Sequence, residues 1–578
     1  MPDLPELVAL LYRADWKRLS LSARATQRRD KDADRRLRGL ARAERDQELG
    51  PVPGFLRPRD DGLHDGPEWP ETQVHILLAR DGRYRVSHDD LEPSRVCDGE
   101  SDWLIGDGTA LPVRVPGPPF RGLLRPRWLL ACYDLSITAI TEVAGRPVHV
   151  VTATPRALTT RTGPGDYHLL DRVEVLVDAE LGILVRSELI LDGRTLELTE
   201  LHDVVIDPPQ AADQGMFRLP PGMPREEHDG PWAFVPEGWG WQAAATVAGA
   251  AASAMGFVVR HAPHRPPRRA AGDTEPDMPL DAYDVDPAAA DGEPLSVELI
   301  NLLHRTGLPA QDFAADLHEW TDPESLVGAL DAFRSAMPQA VDGVLGPDQV
   351  WEAFGERARE TGSVHRTGRL VVSMPGRYRI DQLTGDWRHR YRAVASDGEH
   401  TRKLYDTRVM TGPATRLRND LATLADPAWL LDTRVLSVTG EVTVGGRRGY
   451  RILARAPEPP RTWANPEPFT LIEVIVDAEL AVLLRRTQYV GDRPAVRSEL
   501  RNLTTPADPA EFDVRAAPWV REVTDPGGLL ADLDLPGPLR EAGTAVALTA
   551  GGLIAGAGAL TGWLTKRRAR SDVHELSP

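Results

Sequence analysis

An internal repeat constrains the fold of this 578-residue chain more than any other feature of its sequence. Four segments recur in the same order: Gly82-Arg-Tyr-Arg-Val86 as Gly376-Arg-Tyr-Arg-Ile380, Asp98-Gly-Glu100 as Asp397-Gly-Glu399, Trp128-Leu-Leu130 as Trp429-Leu-Leu431, and Val175-Leu-Val-Asp-Ala-Glu-Leu181 as Val474-Ile-Val-Asp-Ala-Glu-Leu480. The two copies of each segment lie about 300 residues apart. Because order and spacing are both preserved, the sequence predicts a tandem duplication of one structural unit.

Each repeat begins with apolar residues at helical spacing and continues with short strand-like segments. The helical residues are Leu7, Val8, Leu10, Leu11 and Trp16 in the first repeat, and Val297, Ile300, Leu302 and Leu303 in the second. The charged run Arg24–Glu48 is typical of a solvent-exposed helix with i,i+4 ion pairs, and a partner-docking face is the alternative.

The predicted strands are Val74–Ala79, Tyr84–Ser87, Ile137–Val143, His149–Ala153 and Leu184–Leu191, then Arg369–Ser373, Leu436–Val444, Tyr450–Ala454, Leu471–Val476 and Val482–Gln488. Asp178 and Asp477 fall between two strands, where Asp favours a turn. The predicted fold class is α+β, with helices followed by a largely antiparallel sheet in each unit.

The domain organisation follows from the repeat and from shifts in composition. We predict a first unit with N-terminal helices at 1–236, an Ala-rich helix at 237–259, a linker rich in Pro and acidic residues at 260–295, and a second unit with N-terminal helices at 296–525. A Gly/Ala-rich C-terminal helix at 538–566 and a tail at 567–578 follow. The duplication predicts that the two units fold independently on either side of the linker.

Two uncharged Ala/Gly-rich stretches bear on membrane association. Gly543–Leu564 has 22 residues without a charge, and at about 1.5 Å per residue it is long enough to cross a bilayer core. We expect it to be a weak membrane anchor or an interfacial helix, and we expect the shorter Gln242–Val259 to pack on protein. The first residues, Met1-Pro-Asp-Leu-Pro-Glu, carry acid where a signal peptide carries positive charge. The predicted location is therefore cytoplasmic, or associated with the cytoplasmic membrane.

Composition and motifs argue against several kinds of function. The net charge is −18 and no long Lys/Arg stripe occurs, so nucleic-acid binding is not expected. Two cysteines, Cys97 and Cys132, are too few for a disulfide framework or a Cys-rich zinc site. Nucleophile elbows, P-loops and His-Glu-x-x-His motifs are absent, and adjacent Asp89 and Asp90 would point to opposite faces of a strand. We predict no catalytic residues, no metal site and no cofactor, and therefore a protein that is not an enzyme.

Several motifs resemble those of the LolA-like superfamily, which includes the lipoprotein carrier LolA, RseB-type regulators and mycobacterial lipid-binding lipoproteins. The resemblance is carried by Gly368-Arg-Leu-Val-Val-Ser-Met-Pro-Gly-Arg-Tyr-Arg379, by Ser396-Asp-Gly-Glu399 and by Leu404-Tyr405. The first repeat has the same order at Gly82–Val86, Asp98-Gly99 and Trp103. It also has Phe217-Arg-Leu-Pro-Pro-Gly222, which is similar to the closing segment of the family, of which the second repeat keeps only Phe512.

This resemblance implies two tandem units, each a curved antiparallel half-barrel with helices covering one face. In such a fold an apolar ligand lies on the concave face of the sheet. The candidate ligand-binding residues are Tyr84, Trp103, Trp128, Tyr378, Tyr405 and Trp429, and the alternative is that all six are ordinary core residues. Two hypotheses follow: a non-enzymatic protein that binds lipid or another apolar ligand, or an RseB-like structural or regulatory protein whose cavities are filled and which binds a protein partner at or near the membrane. An open apolar groove would favour the first, and a packed one the second.

Overall fold

The structure, a computed structural model, describes residues 3–49, 72–88, 93–106, 108–112, 118–156, 169–225, 292–306, 312–322, 325, 364–373, 377–381, 393–397, 400–404, 408–413, 422–433, 435–455, 471–512 and 521–523. The candidate residue Tyr405 and the pair Asp89 and Asp90 lie outside these residues, as do the predicted helices at 237–259 and 538–566 and nearly all of the 260–295 linker. The predicted domain boundaries therefore stay predictions.

The first repeat forms an open sheet of eleven antiparallel strands, in the order β6-β5-β4-β3-β2-β1-β11-β10-β9-β8-β7. The strands are β1 (Leu21–Arg29), β2 (Thr72–Leu78), β3 (Tyr84–Ser87), β4 (Pro93–Cys97), β5 (Asp102–Gly106), β6 (Thr109–Pro112), β7 (Tyr133–Val143), β8 (Arg146–Pro155), β9 (Arg172–Asp178), β10 (Leu184–Leu191) and β11 (Arg194–Ile206). Most neighbouring strands follow one another along the chain, whereas longer segments separate β1 from β2 and β8 from β9. The pairing of β1 with β11 joins the two ends of the sheet-forming sequence.

The second repeat has the same strand order with two short additions. Its strands are β12 (Glu293–Pro294), β13 (Asp312–Thr321), β14 (Val364–Ser373), β15 (Arg377–Asp381), β16 (Ala393–Ser396), β17 (His400–Leu404), β18 (Arg408–Pro413), β19 (Val435–Val444), β20 (Arg447–Arg455), β21 (Leu471–Asp477), β22 (Leu483–Val490), β23 (Arg493–Thr504) and β24 (Arg521–Val523). The order is β12-β19-β20-β21-β22-β23-β13-β14-β15-β16-β17-β18-β24, and β24 pairs in parallel with β18. Two open sheets of equivalent order confirm the predicted α+β class and agree with a tandem duplication.

Short helices accompany the sheets. They are α1 (Leu4–Arg13), α2 (Lys31–Leu49), α3 (Arg121–Leu124), α4 (Arg127–Cys132), α5 (Val297–His304), α6 (Ala422–Ala425) and α7 (Leu430–Thr433), with 3-10 turns at Trp16–Arg18, Pro209–Ala212, Gln214–Phe217, Pro427–Trp429 and Pro509–Phe512. In the first repeat α3 packs on β10 and α4 on β7, and in the second α6 packs on β22. Among the described residues no helix is long and apolar enough to cross a membrane.

The helix predicted over Arg24–Glu48 is wrong in its first part. Residues 24–29 belong to β1, which lies between β2 and β11 at the centre of the sheet. The physical reason is a period of two: the side chains of Leu21, Ala23 and Ala25 are buried, whereas Arg24 points outward and pairs with Asp203 at 2.9 Å. The helix itself begins after Asp30, whose carboxylate accepts hydrogen bonds from the backbone N–H groups of Asp32 and Ala33.

The repeated Asp-Ala-Glu segment has a structural role in both repeats. One carboxylate oxygen of Asp178 accepts hydrogen bonds from the backbone N–H groups of Glu180 and Leu181, each at 2.9 Å, and the Arg146 guanidinium donates to the other oxygen at 2.5 Å. Asp477 and Arg447 make the equivalent contacts in the second repeat. These bonds fix the turn between two adjacent strands, as the sequence predicts.

The two repeats share one hydrophobic core. A continuous cluster of buried apolar side chains includes Leu7 and Val177 of the first repeat together with Ile300 and Val474 of the second. Helix α1 packs on α5, and α4 packs on α7 and on the 427–429 turn. The expectation of independently folded units is therefore corrected: the apolar faces of the covering helices pack on those of the other repeat, and both sheets lie in one compact unit. We call the surface where α1 and α4 meet α5, α7 and the 427–429 turn the seam.

Candidate functional site

Tyr84 and Tyr378 occupy equivalent positions on β3 and β15, and both are buried. The Tyr84 hydroxyl donates a hydrogen bond to Asp102, to which Arg95 is ion-paired at 2.7 Å. The ring of Trp16 packs edge-on against that of Tyr84, with 5.7 Å between centroids. Burial, together with the charge of Asp102, raises the pKa of Tyr84, so the phenol stays neutral.

Trp128 and Trp429 are also equivalent, and their surroundings are the same. The indole N–H of Trp128 donates to the carbonyl oxygen of Gly122 at 3.1 Å, and that of Trp429 donates to the carbonyl oxygen of Thr423 at 3.2 Å. In each repeat the acceptor lies six residues before the tryptophan. Because α4 packs on the 427–429 turn, the structure brings the elements of these two tryptophans together at the seam.

The remaining described candidate, Trp103 on β5, is only half-buried. The Arg225 guanidinium lies over its ring, 5.2 Å from the centroid. The four other described candidates are well enclosed, with exposed fractions of 0% for Tyr84, 7% for Trp128, 2% for Tyr378 and 5% for Trp429. Whether any of the six contacts a ligand stays a prediction.

A buried polar cluster joins the repeats at the seam. The Arg156 guanidinium donates to both carboxylate oxygens of Asp426, at 3.2 and 3.1 Å, and to the carbonyl oxygens of His304 at 2.6 Å and Tyr133 at 3.2 Å. Arg156 and Tyr133 belong to the first repeat, whereas Asp426 and His304 belong to the second. Because a buried charge is tolerated only when it is paired and hydrogen-bonded, this geometry holds the two repeats in one register.

The imidazole of His304 completes this cluster. Its Nε2 lies 3.3 Å from the Tyr133 carbonyl oxygen, which can only accept, so Nε2 carries the proton. Its Nδ1 lies 2.8 Å from the Thr306 hydroxyl, which donates to it. Burial, reinforced by the charge of Arg156, lowers the pKa of His304 well below its usual range. The ring is therefore neutral, and both nitrogens are engaged, which suits a structural support better than an acid–base catalyst.

A second charged cluster lies at the same seam, beside α4. It consists of Arg125 and Arg127 of the first repeat with Asp432 of α7 and Tyr12 of α1. The Arg127 guanidinium lies over the Tyr12 ring, 4.4 Å from the centroid. The Nε atoms of both arginines are buried and have no hydrogen-bond partner within the described parts of the chain.

Neither seam cluster was predicted from the sequence. Arg156 is 270 residues from Asp426 and 148 residues from His304, so no local spacing announces the contacts. The only available signal was indirect: the repeated Trp-Leu-Leu segment marks α4 in the first repeat and, in the second, the end of the 427–429 turn and the start of α7.

The outer faces of the two sheets differ. On β13 and β14, the rings of His318, Trp320 and His365 stack, with 4.5 Å between the centroids of Trp320 and His365. The equivalent position to His318 on β1 is Thr26, which contacts His202 at 3.1 Å. The repeats have therefore diverged on this face while keeping the seam contacts of their tryptophans.

Comparison with known proteins gives matches in structure only. No protein-family model matches the chain, and no curated protein matches it. Among solved structures, MucB is 16% identical, with 39% of this chain and 68% of MucB covered and a TM-score of 0.22. The Mycobacterium tuberculosis lipoprotein LppX is 14% identical, with 37% and 96% covered and a TM-score of 0.21. A LolA superfamily protein from Nitrosomonas europaea is 8% identical, with 38% and 99% covered and a TM-score of 0.18.

The structure from Nitrosomonas europaea carries the name of the superfamily that the sequence motifs resemble. At such TM-scores the matches carry no argument about function. MucB has also been solved in complex with MucA, from Pseudomonas aeruginosa, and that pairing belongs to those proteins. The description of the fold depends instead on the strand order and register given above, which show two open sheets with short helices packed on them.

Proposed function

We propose that this chain is a non-enzymatic binding protein whose concave sheet faces are filled by its own side chains and which binds a protein partner. The observation that carries the proposal is the burial of the candidate aromatics: Trp128 and Trp429 are packed in the shared core, and their indole N–H groups already have protein acceptors. A packed face leaves the surfaces of the two sheets, rather than a groove, for recognition. We further propose that this partner lies at or near the cytoplasmic membrane, in keeping with the predicted helix at 543–564.

Binding of a lipid or another apolar ligand is the second candidate function. It is favoured by the shortness of the covering helices: α3, α6 and α7 have four residues each, and α4 has six. Helices of this length are not stable by themselves and depend on packing, so they would leave the sheet only if a ligand replaced that packing. An elongated apolar ligand would then replace the contacts that the helices make with the sheet.

Native mass spectrometry of the gently purified full chain distinguishes the two functions, together with titration of a fluorescent fatty acid. The protein-binding proposal predicts no co-purified lipid and no saturable uptake of the fatty acid. Stoichiometric lipid in the spectrum, or saturable uptake, would overturn it in favour of the lipid-binding candidate.

A matched pair of variants locates any uptake that is seen. Trp429→Ala removes a buried ring from the covered face, whereas Val205→Ala truncates an exposed side chain of β11. If the covered face binds lipid, Trp429→Ala changes the affinity for the fatty acid and Val205→Ala does not. If both variants behave as the parent chain does, uptake occurs elsewhere and the concave faces are not the site.

A further inference from the structure

The second seam cluster has the composition of an anion-binding site. Arg121 begins α3, Arg125 follows its end, and Arg127 begins α4, so three guanidinium groups come from seven consecutive residues. Helix α4 packs on α7, which carries Asp432, and on α1, which carries Tyr12. The charges of all three arginines act on the Asp432 carboxyl. The cluster is therefore formed by both repeats and exists only when the seam is closed.

The two inner arginines are held in place, and neither forms an ion pair within the described residues. Arg127 is fixed by its contact with the Tyr12 ring at 4.4 Å. The Nε atoms of Arg125 and Arg127 are buried without a hydrogen-bond partner, and within the described residues no ion pair involves either guanidinium. A buried donor without an acceptor costs free energy, and a guanidinium is a particularly strong donor. An acceptor supplied from outside the chain would remove this cost.

Asp432 does not act as that acceptor. Among the described parts of the chain it forms no ion pair within 4.0 Å with any arginine. Burial raises the pKa of Asp432, although the charges of Arg125, Arg127 and Arg121 oppose this effect. The carboxyl lies near the guanidinium groups without forming an ion pair with them, so it does not occupy their donor groups.

We propose that Arg125 and Arg127 bind a phosphate group at the seam between the two repeats. Phosphate oxygens match the geometry of paired guanidinium groups, which donate parallel N–H···O bonds. Arg121, which is exposed, adds a third positive charge that acts on the same cluster. Asp432 limits the affinity through repulsion of the bound anion. The phosphate belongs either to a free ion or to a lipid headgroup, since both present the same oxygens.

Isothermal titration of the full chain with inorganic phosphate tests the proposal. Arg125→Gln and Arg127→Gln are each expected to weaken binding about tenfold or more, because each removes one charged donor pair. The control is Arg194→Gln, which removes an equally positive but exposed side chain of β11, and its affinity is expected to stay within about twofold. Phosphate binding that is equal in all three variants, or absent from the parent chain, would overturn the proposal.

Asp432→Asn keeps the proposal falsifiable if an arginine variant does not fold. This substitution removes the repulsion without removing a donor, so phosphate is expected to bind more tightly than to the parent chain. A purely structural cluster would give unchanged or weaker binding, which would contradict an anion site.

Sedimentation with vesicles distinguishes the two sources of phosphate. The full chain is mixed with phosphatidylcholine vesicles that either contain or lack phosphatidic acid. Binding only to the acidic vesicles, lost in Arg125→Gln and Arg127→Gln but kept in Arg194→Gln, identifies a lipid headgroup. Binding of inorganic phosphate without vesicle binding identifies a free ion. If the chain binds neither inorganic phosphate nor the acidic vesicles, the proposed site is overturned.

Discussion

His304 lies at the seam, and both nitrogens of its ring are hydrogen-bonded to protein groups. The Arg156 guanidinium donates to the backbone carbonyl oxygen of His304. Burial and the nearby positive charge both disfavour the imidazolium form, which explains the direction of its pKa shift. In the unfolded chain the same imidazole titrates near pH 6.5. Folding therefore excludes a proton that the unfolded chain binds.

Because of His304, the free energy of unfolding is expected to decrease as the pH is lowered. Because the folded pKa of His304 is depressed, its contribution is fully present above about pH 6.5 and is lost as the pH falls towards the folded pKa. The free energy of unfolding is expected to drop by up to about 1.4 kcal/mol per pH unit in that window because of this one group. Urea unfolding at several pH values, compared with His304→Gln, measures the effect.

In that comparison, His304→Gln is expected to be less stable than the parent chain at pH 7.5 and to differ from it less at pH 5.5. His318, whose pKa is lowered mainly by burial, contributes a similar slope to both proteins and cancels. A constant difference across the range would mean that His304 has the same pKa in the folded and the unfolded chain, which would contradict its depressed folded pKa.

Sequence patterns could predict individual side chains only where local spacing determines their surroundings. The turn role of Asp178 follows from its position between two strands, and the structure confirms it. The roles of Arg156 and Asp426 depend on contact between repeats, and nothing within either repeat encodes it. The sequence is compatible with either a ligand contact or a core position for Tyr84, and the structure places that side chain in the core.

At the scale of elements, the predicted strands and the missed strands differ in composition. The strand Leu184–Leu191 is rich in Val, Ile and Leu, and the strand Tyr84–Ser87 contains Tyr and Val, which also favour strands; both are confirmed. The central strands β1 and β13 were missed, because β1 carries arginines continuous with a charged helix and β13 mixes alanine, acidic and aromatic residues without a clear run of β-branched residues. Each is buried by its neighbours on both sides, so tertiary pairing overrides its weak propensity.

Gly182, in the turn between β9 and β10, is a position where any residue with a Cβ atom is expected to destabilise the protein. Its φ of +69° favours glycine, and a Cβ there would lie 2.6 Å from the Leu10 carbonyl oxygen of α1. Gly182→Ala should therefore destabilise the protein by about 2–4 kcal/mol, because helix and turn must separate.

Gly193→Ala is the matched control for that change. Gly193 has a φ of +70°, and a Cβ there would meet no atom within 4 Å. Gly193→Ala should therefore lower the free energy of unfolding by only the conformational cost of a positive φ, about 1 kcal/mol. Equal destabilisation of the two variants in urea unfolding would show that the contact between α1 and the β9–β10 turn contributes nothing.

At the scale of the whole molecule, the two repeats keep the same strand order and differ in what surrounds the strands. The sequence predicted the duplicated order, because repeated segments report equivalent positions. It did not predict the shared core, because apolar residues on a helix face indicate burial without identifying the partner. The seam, where Arg156 meets Asp426, is the feature that makes one folded unit out of two repeats.

Hydrogen–deuterium exchange of Asp426→Asn tests this central claim most directly, because the change lies in one repeat and the readout in the other. The amides of Tyr84–Ser87, on β3 of the first sheet, are remote in the strand order from β7, which carries Tyr133. If the repeats unfold as one unit, the slowest of these amides should exchange faster by about the same factor as those of Leu471–Asp477 on β21 of the second repeat, because both report one global opening. Faster exchange confined to the second repeat, with Tyr84–Ser87 unchanged, would contradict the account and show two independently folding halves.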